Sequence, residues 1–217
     1  RRVLERTDLD VRVEERRGRA AVLLLLGPKV PELVHERFRE ELPRPFAPGS
    51  ASLFPFHGFR SLLVPSLLAG TPAAFFVAAP PVVQHLLDEL RSPGLALAGT
   101  DAYECWRLER GLPLASEDLE AAALGPPARG ATRIVTLLFE RDPGSDLLAG
   151  EHGVPLGRIA AWRRSPSLDG VVALAVIEDR ADLGPGAALD AGSVRGVIVE
   201  PPLVRRRSNA DVDPEHP

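Results

Sequence analysis

The residues best suited to chemistry in this sequence stand together in the segment GTDAYECWRLERGLPLASEDL, residues 99–119. Glu104 and Glu109 supply carboxylates, Arg107 supplies a guanidinium and Cys105 supplies a thiol. A carboxylate accepts hydrogen bonds and a guanidinium only donates them, so such a set could hold a polar ligand. The same residue types also occur at ordinary helix ends.

Each of these charged residues has a structural explanation beside the functional one. Glu109 could be a surface charge or the partner of Arg107, and Arg107 could form a structural ion pair with another acidic group. Glu104 could face solvent or join a salt bridge. Gly111 and Pro113 need no ligand, because a glycine just past a helix end with a proline soon after terminates many helices.

Other nucleophiles and metal ligands give weaker signals. Cys105 lies in an apolar context and is predicted to be a buried, inert thiol rather than a reactive one. The histidines are scattered, at His35, His57, His85, His152 and His216. No two of them have metal-ligand spacing and no second cysteine joins them, so no metal site is predicted. The sequence has neither a Gly-x-Ser-x-Gly elbow nor a Walker-type phosphate loop.

The first half of the chain has the pattern of strands alternating with helices. Residues 11–13 and 21–26 are predicted strands around a turn at Gly18, and a helix follows with Pro31 in its first turn. Residues 43–59 are rich in turn formers and are predicted to be a loop.

A second group of elements completes this half. Residues 60–68 are predicted to be an edge or broken strand because of Pro65, and residues 70–80 a short buried strand. A helix with one apolar face follows over residues 80–94. The order β-β-α-β-β-α predicts a ferredoxin-like sandwich of helices on a sheet.

The second half begins with a predicted helix over residues 101–111, on which Tyr103 and Trp106 can share a face. Residues 119–130 are small, Pro-rich and Gly-rich, which indicates a domain boundary. Predicted strands follow at residues 132–140, 154–162, 170–178, 187–192 and 194–201. Their number and spacing indicate a small β-barrel or sandwich.

These elements predict an α+β fold. A ferredoxin-like α/β domain would occupy residues 1–124, a small C-terminal antiparallel β-barrel residues 130–204, and a disordered tail residues 205–217. The chain contains no methionine, so we expect that it begins in mid-protein and that its first domain is incomplete.

Composition excludes several classes of function. The net charge of −4 argues against a sequence-independent nucleic-acid binder. No apolar run approaches the roughly 20 residues of a membrane span. From the charge and from this absence, respectively, neither nucleic acid nor membrane is an expected partner. A single cysteine cannot form an internal disulfide, and nothing therefore points to an oxidising compartment.

The segment of residues 99–119 resembles the pattern G-x-x-A-x-[ED]-x-x-R-[LI]-E-x-G-[LI]-P-x-x-x-x-D of the glycine-cleavage T-protein and YgfZ family. The matching positions are Ala102, Glu104, Arg107, Leu108, Glu109, Gly111, Leu112, Pro113 and Asp118. Flanking stretches resemble the family in the same order, including GRAAVLLLLGPKVPELV, GTPAAFFVAAP and the Ser-Pro turn of GRIAAWRRSPSLDGVVALAVIED. The resemblance covers roughly residues 11–203.

The resemblance implies a tetrahydrofolate-binding protein of YgfZ type. Glu109 would face the pterin, accepting hydrogen bonds from its 2-amino group and a ring N–H. Arg107 would meet the ligand's glutamate tail, and Glu104 would contact the ligand. The family role would be support of iron–sulfur cluster assembly or repair in the bacterial cytoplasm, with iron–sulfur or lipoyl carrier proteins as partners.

The chain also departs from the family. The YgfZ signature Lys-Gly-Cys-Tyr-x-Gly-Gln-Glu is missing, because residues 120–133 read EAAALGPPARGATR. The catalytic aspartate of the T-protein would lie upstream of the first residue. Two alternatives therefore stand beside folate binding, namely the aminomethyltransferase of glycine cleavage and a non-catalytic scaffold with the same fold.

Overall fold

A computed structural model describes residues 18–42, 44–91, 95–113 and 131–203. The chain divides into two compact units, Arg1–Ala96 and Leu97–Pro217. The elements of the first unit are β1 (Ala21–Leu26), α1 (Val30–Phe38), β2 (Ser52–Phe56), β3 (Phe59–Leu68), β4 (Thr71–Ala78) and α2 (Pro80–Leu90).

Within the described residues, the first unit forms a four-stranded antiparallel sheet in the order β1-β4-β3-β2, with two helices. Two-residue turns join β2 to β3 and β3 to β4, and both of their central residues have positive φ: 48° and 80° in His57-Gly58, 45° and 74° in Ala69-Gly70. This backbone matches the twist of antiparallel hairpins. The core contains a cluster of four aromatic rings, Phe38, Phe54, Phe56 and Phe76.

The segment predicted as a loop contains strand β2, and this expectation was wrong for residues 52–56. Pro55 is compatible with β2 because the strand lies at the edge of the sheet. The expectation that Pro65 places its strand at an edge was also wrong, since β3 lies between β4 and β2. The pairing of β2 with β3 ends at Leu63, however, and beyond it the Pro65 carbonyl accepts the Gly49 N–H at 3.2 Å.

The second unit contains helix α3 (Thr100–Glu109) and a closed six-stranded barrel in the order β10-β5-β8-β7-β6-β9. Its strands are β5 (Thr132–Phe139), β6 (Leu147–Ala149), β7 (Pro155–Ser165), β8 (Gly170–Glu178), β9 (Ala188–Ala191) and β10 (Val194–Val199). A one-turn 3₁₀ helix, Glu151–Gly153, precedes β7. β6 was not predicted, because three residues are too few for a strand pattern to emerge.

Strand β8 explains how α3 is attached to the barrel. Val171, Ala173 and Ala175 belong to the barrel core, whereas Val172 and Leu174 pack with Leu108 of α3. Both faces of β8 are thus covered, which is why GVVALAVIE reads as an unbroken apolar run.

The α+β class with a C-terminal barrel is confirmed. In the described residues the first unit has the order β-α-β-β-β-α, which adds β2 to those predicted elements that fall within the described residues. The predicted strand at residues 11–13 and the predicted tail lie outside the described residues. The predicted boundary at residues 119–130 also lies there, and the division into domains at that place stays a prediction; the compact units divide after Ala96. No helix among the described residues has the length and apolarity needed to cross a bilayer.

Candidate functional site

Helix α3 ends in a compact hydrogen-bonded cap that fixes the residues around Glu109. Gly111 has φ 67°, its N–H donates to the Leu108 carbonyl at 2.9 Å, and the Leu112 N–H donates to the Arg107 carbonyl at 2.8 Å. This pair of bonds is the Schellman motif, so the structural explanation of Gly111 holds. The Glu109 carbonyl accepts the Leu203 N–H at 2.9 Å, which ties the helix end to the chain beyond β10.

The Glu109 carboxylate lies against the end of strand β7. It is only 7% exposed, and its Oε1 accepts the Ser165 hydroxyl at 2.6 Å and the Cys105 thiol at 3.4 Å. The first of these is a short, charge-assisted bond. Among the described residues, none donates a hydrogen bond to Oε2. One oxygen of the carboxylate is therefore fixed from within the protein and the other is not.

Ser165 links this carboxylate to the β7–β8 hairpin. It is completely buried as the last residue of β7, and its Oγ also accepts the Leu168 N–H at 3.2 Å. The hydroxyl is thus used both as donor and as acceptor. Ser165 was not among the predicted site residues; the Ser-Pro turn of the resemblance was the only signal for it.

Cys105 lies one helical turn before Glu109 and is partly buried rather than fully buried. Burial, the neighbouring charge of Glu109 and the hydrogen bond to it together raise the pKa of the Cys105 thiol to about 11. At neutral pH the group is therefore a protonated donor. The prediction of an unreactive thiol agrees with this direction, since the thiolate is the nucleophilic form.

Arg107 and Glu104 form a separate ion pair on the same helix. The Arg107 side chain is 2% exposed, and its Nε and Nη2 donate to Glu104 Oε2 at 2.9 and 2.5 Å. Its Nη1 donates to the Leu112 carbonyl at 3.2 Å, so the guanidinium also supports the helix cap. The salt bridge considered for both residues is present, and their contact with a ligand stays a prediction.

Tyr103 and Trp106 share a face of α3, as their spacing predicts. Their rings stack with centroids 6.1 Å apart and planes at 22°. Both side chains are partly exposed, so they present aromatic surface on the helix that carries Glu109.

The arrangement is better suited to binding than to covalent chemistry. The thiol is protonated, the serine hydroxyl is buried and committed to Glu109, and Arg107 is committed to Glu104 and the helix cap. Glu104 and Glu109 each combine a fixed orientation with one carboxylate oxygen that the described residues leave unused, Oε1 in Glu104 and Oε2 in Glu109. The charge of Glu104 is paired with Arg107, whereas Glu109 has no cationic partner among the described residues, so its geometry is the better suited to holding a polar ligand.

No protein-family model and no curated protein matches this sequence. In solved structures, the chain is similar to glycine cleavage system aminomethyltransferase T from Bartonella henselae, with a TM-score of 0.60 and 17% sequence identity. The similarity covers 85% of this chain and 60% of that one, so the chain spans less than two thirds of that protein's length. The chain therefore shares the fold of this aminomethyltransferase.

Proposed function

We propose that this protein binds tetrahydrofolate and that Glu109 is the carboxylate that receives the pterin. The observation that carries the proposal is the asymmetry of the Glu109 hydrogen bonds, with Oε1 held by Ser165 and Oε2 unused by the described residues. The shared fold and the resemblance of residues 99–119 to a folate-binding family support the choice of ligand.

The proposed contact follows from the chemistry of the two partners. A pterin offers a 2-amino group and an adjacent ring N–H, and a carboxylate can accept both. Oε2 would accept one of them directly. At Oε1 the ligand N–H would replace the Cys105 thiol, which is the weaker of the two donors now present.

Arg107 and Glu104 have a positioning role in this proposal. Their ion pair and the bond to the Leu112 carbonyl hold the last turn of α3, from which Glu109 projects. The Arg107 side chain is only 2% exposed, and this burial favours the positioning role over contact with the glutamate tail of the ligand.

The resemblance to the YgfZ family also suggests a physiological role, which we include in the proposal. A YgfZ-type protein would support iron–sulfur cluster assembly or repair in the bacterial cytoplasm. Its partners would be iron–sulfur or lipoyl carrier proteins. Capture of iron–sulfur proteins by the immobilised chain, in a manner dependent on tetrahydrofolate, would support this role.

Titration with tetrahydrofolate, followed by tryptophan fluorescence, tests the binding. Glu109→Gln keeps an acceptor for Ser165 but removes the charge, and we expect its affinity to fall by about tenfold or more. Glu140→Gln, an exposed glutamate in the same unit, is the matched control and should bind like the wild type. Equal affinity in Glu109→Gln and the control would refute the assignment.

The second candidate function is aminomethyl transfer from a lipoyl arm to tetrahydrofolate, and the shared fold with the aminomethyltransferase favours it. Incubation with an aminomethyl-loaded lipoyl carrier protein separates the two. Formation of methylenetetrahydrofolate would show that the protein is an aminomethyltransferase. Binding of tetrahydrofolate without transfer would support the first proposal, folate binding without this catalysis.

A further inference from the structure

Three side chains of the first unit converge on its surface. The Nε2 atoms of His57 and His85 lie 3.5 and 3.1 Å from the same oxygen, Oε1 of Glu89. The two imidazole rings have centroids 4.8 Å apart. All three side chains are exposed to solvent.

The fold creates this cluster from two distant stretches of sequence. His85 and Glu89 lie four residues apart on α2 and thus on one face of the helix. His57 comes from the β2–β3 turn, where it has φ 48°, a conformation that few residues other than glycine adopt. In the sequence no two histidines have the spacing of metal ligands. For this reason the sequence predicts no metal site.

The distances from Glu89 Oε1 to the two imidazole nitrogens match those of a metal coordination sphere. A tetrahedral Zn²⁺ with bonds near 2.0–2.1 Å places neighbouring ligand atoms about 3.3 Å apart. The two measured separations lie on either side of that value, and one ligand atom from each of the three residues fits within 4.8 Å of the others. We propose that His57, His85 and Glu89 bind a divalent transition-metal ion, Zn²⁺ in the first instance, with water as the fourth ligand.

Arg37 contacts two of the three proposed metal ligands, Glu89 and His57. Its Nε and Nη2 donate to Glu89 Oε2 at 2.8 and 2.5 Å, which turns Oε1 toward the histidines, as outer partners of ligating carboxylates do. Its Nη2 also lies 3.1 Å from His57 Nε2. Because a guanidinium only donates, this contact requires a lone pair on Nε2, the form in which imidazole binds a metal. A metal that takes this lone pair would displace Nη2 from His57, and the Nε bond of Arg37 to Glu89 Oε2 would then hold the carboxylate.

Isothermal titration of the full chain with ZnCl₂ tests the site. We expect one saturable high-affinity site per chain, and a loss of affinity of about tenfold or more in His57→Gln and in His85→Gln. The control is His35→Gln, which removes an exposed histidine of α1 in the same unit and should leave binding unchanged.

A second measurement keeps the test independent of how the variants fold. Zn²⁺ bound to the native state raises the melting temperature by mass action. We expect this rise in the wild type and in His35→Gln but not in the double variant His57→Gln/His85→Gln. Saturable binding and a melting shift that persist in the double variant would overturn the proposal, as would the lack of a saturable site in the wild type.

Discussion

The carboxylate of Glu109 is held from one side, and this asymmetry determines the chemistry open to the residue. Ser165 fixes Oε1 at 2.6 Å, and Cys105 contributes a longer bond to the same atom. A buried carboxylate with defined orientation suits the recognition of paired N–H groups. Two predictions concern its immediate neighbours.

Cys105 should react with alkylating reagents only at alkaline pH, because the thiolate is the reactive form. Burial and Glu109 raise the pKa of the thiol to about 11, so the alkylation rate with iodoacetamide should rise with a midpoint near that pH. Glu109→Gln removes the neighbouring negative charge, and the midpoint should shift to lower pH. Cys105 is the only cysteine, so the signal is unambiguous. A midpoint that is the same in both proteins would contradict the coupling.

Ser165→Ala should destabilise the second unit by about 1–3 kcal/mol, because it removes the donor to Glu109 and the acceptor of the Leu168 N–H in a buried place. Urea denaturation measures the change in the free energy of unfolding. Ser167→Ala, an exposed serine in the same hairpin, is the control and should change it by less than about 0.5 kcal/mol. Equal effects of the two substitutions would show that the Ser165 hydroxyl does not hold Glu109 in place.

At the scale of elements, the end of α3 positions the candidate site. The Gly-Leu-Pro sequence predicted this end correctly, because the signals for a glycine cap lie within a few residues of each other. The signals for β2 are not local. Its one proline, Pro55, is typical of a loop, and only its pairing with β3 at the edge of the sheet makes it a strand.

Gly111→Ala should destabilise the protein by more than about 1 kcal/mol, because φ 67° is unfavourable for alanine. In addition, a Cβ at this position would lie 2.6 Å from Pro201 Cγ and 3.3 Å from Thr136 Oγ1. Thermal denaturation followed by circular dichroism measures the effect. Gly184→Ala is the control, since a Cβ there would have no atom within 4 Å and the residue has no positive φ. Equal melting temperatures of the two variants would contradict this account of the helix end.

At the scale of the whole molecule, the class of fold could be predicted and the convergence of side chains could not. The longer barrel strands can be predicted because they are apolar runs in the sequence. The run of β8 has no polar interruption because both faces of this strand are buried. Glu109 and Ser165 are 56 residues apart, so only the packing of α3 on the barrel brings them together. The same limit applies to His57 and His85, which meet only because a hairpin turn lies beside α2.

The central claim is that Glu109 recognises the 2-amino edge of a pterin. It is tested most directly by comparing the affinities of wild type and Glu109→Gln for tetrahydrofolate and for an analogue that lacks the 2-amino group. A hydrogen bond to a charged group corresponds to about 10- to 100-fold in affinity. We therefore expect the wild type to prefer tetrahydrofolate by that factor and Glu109→Gln to lose most of the preference. The same preference in both proteins, or no binding of tetrahydrofolate by the wild type, would contradict the claim.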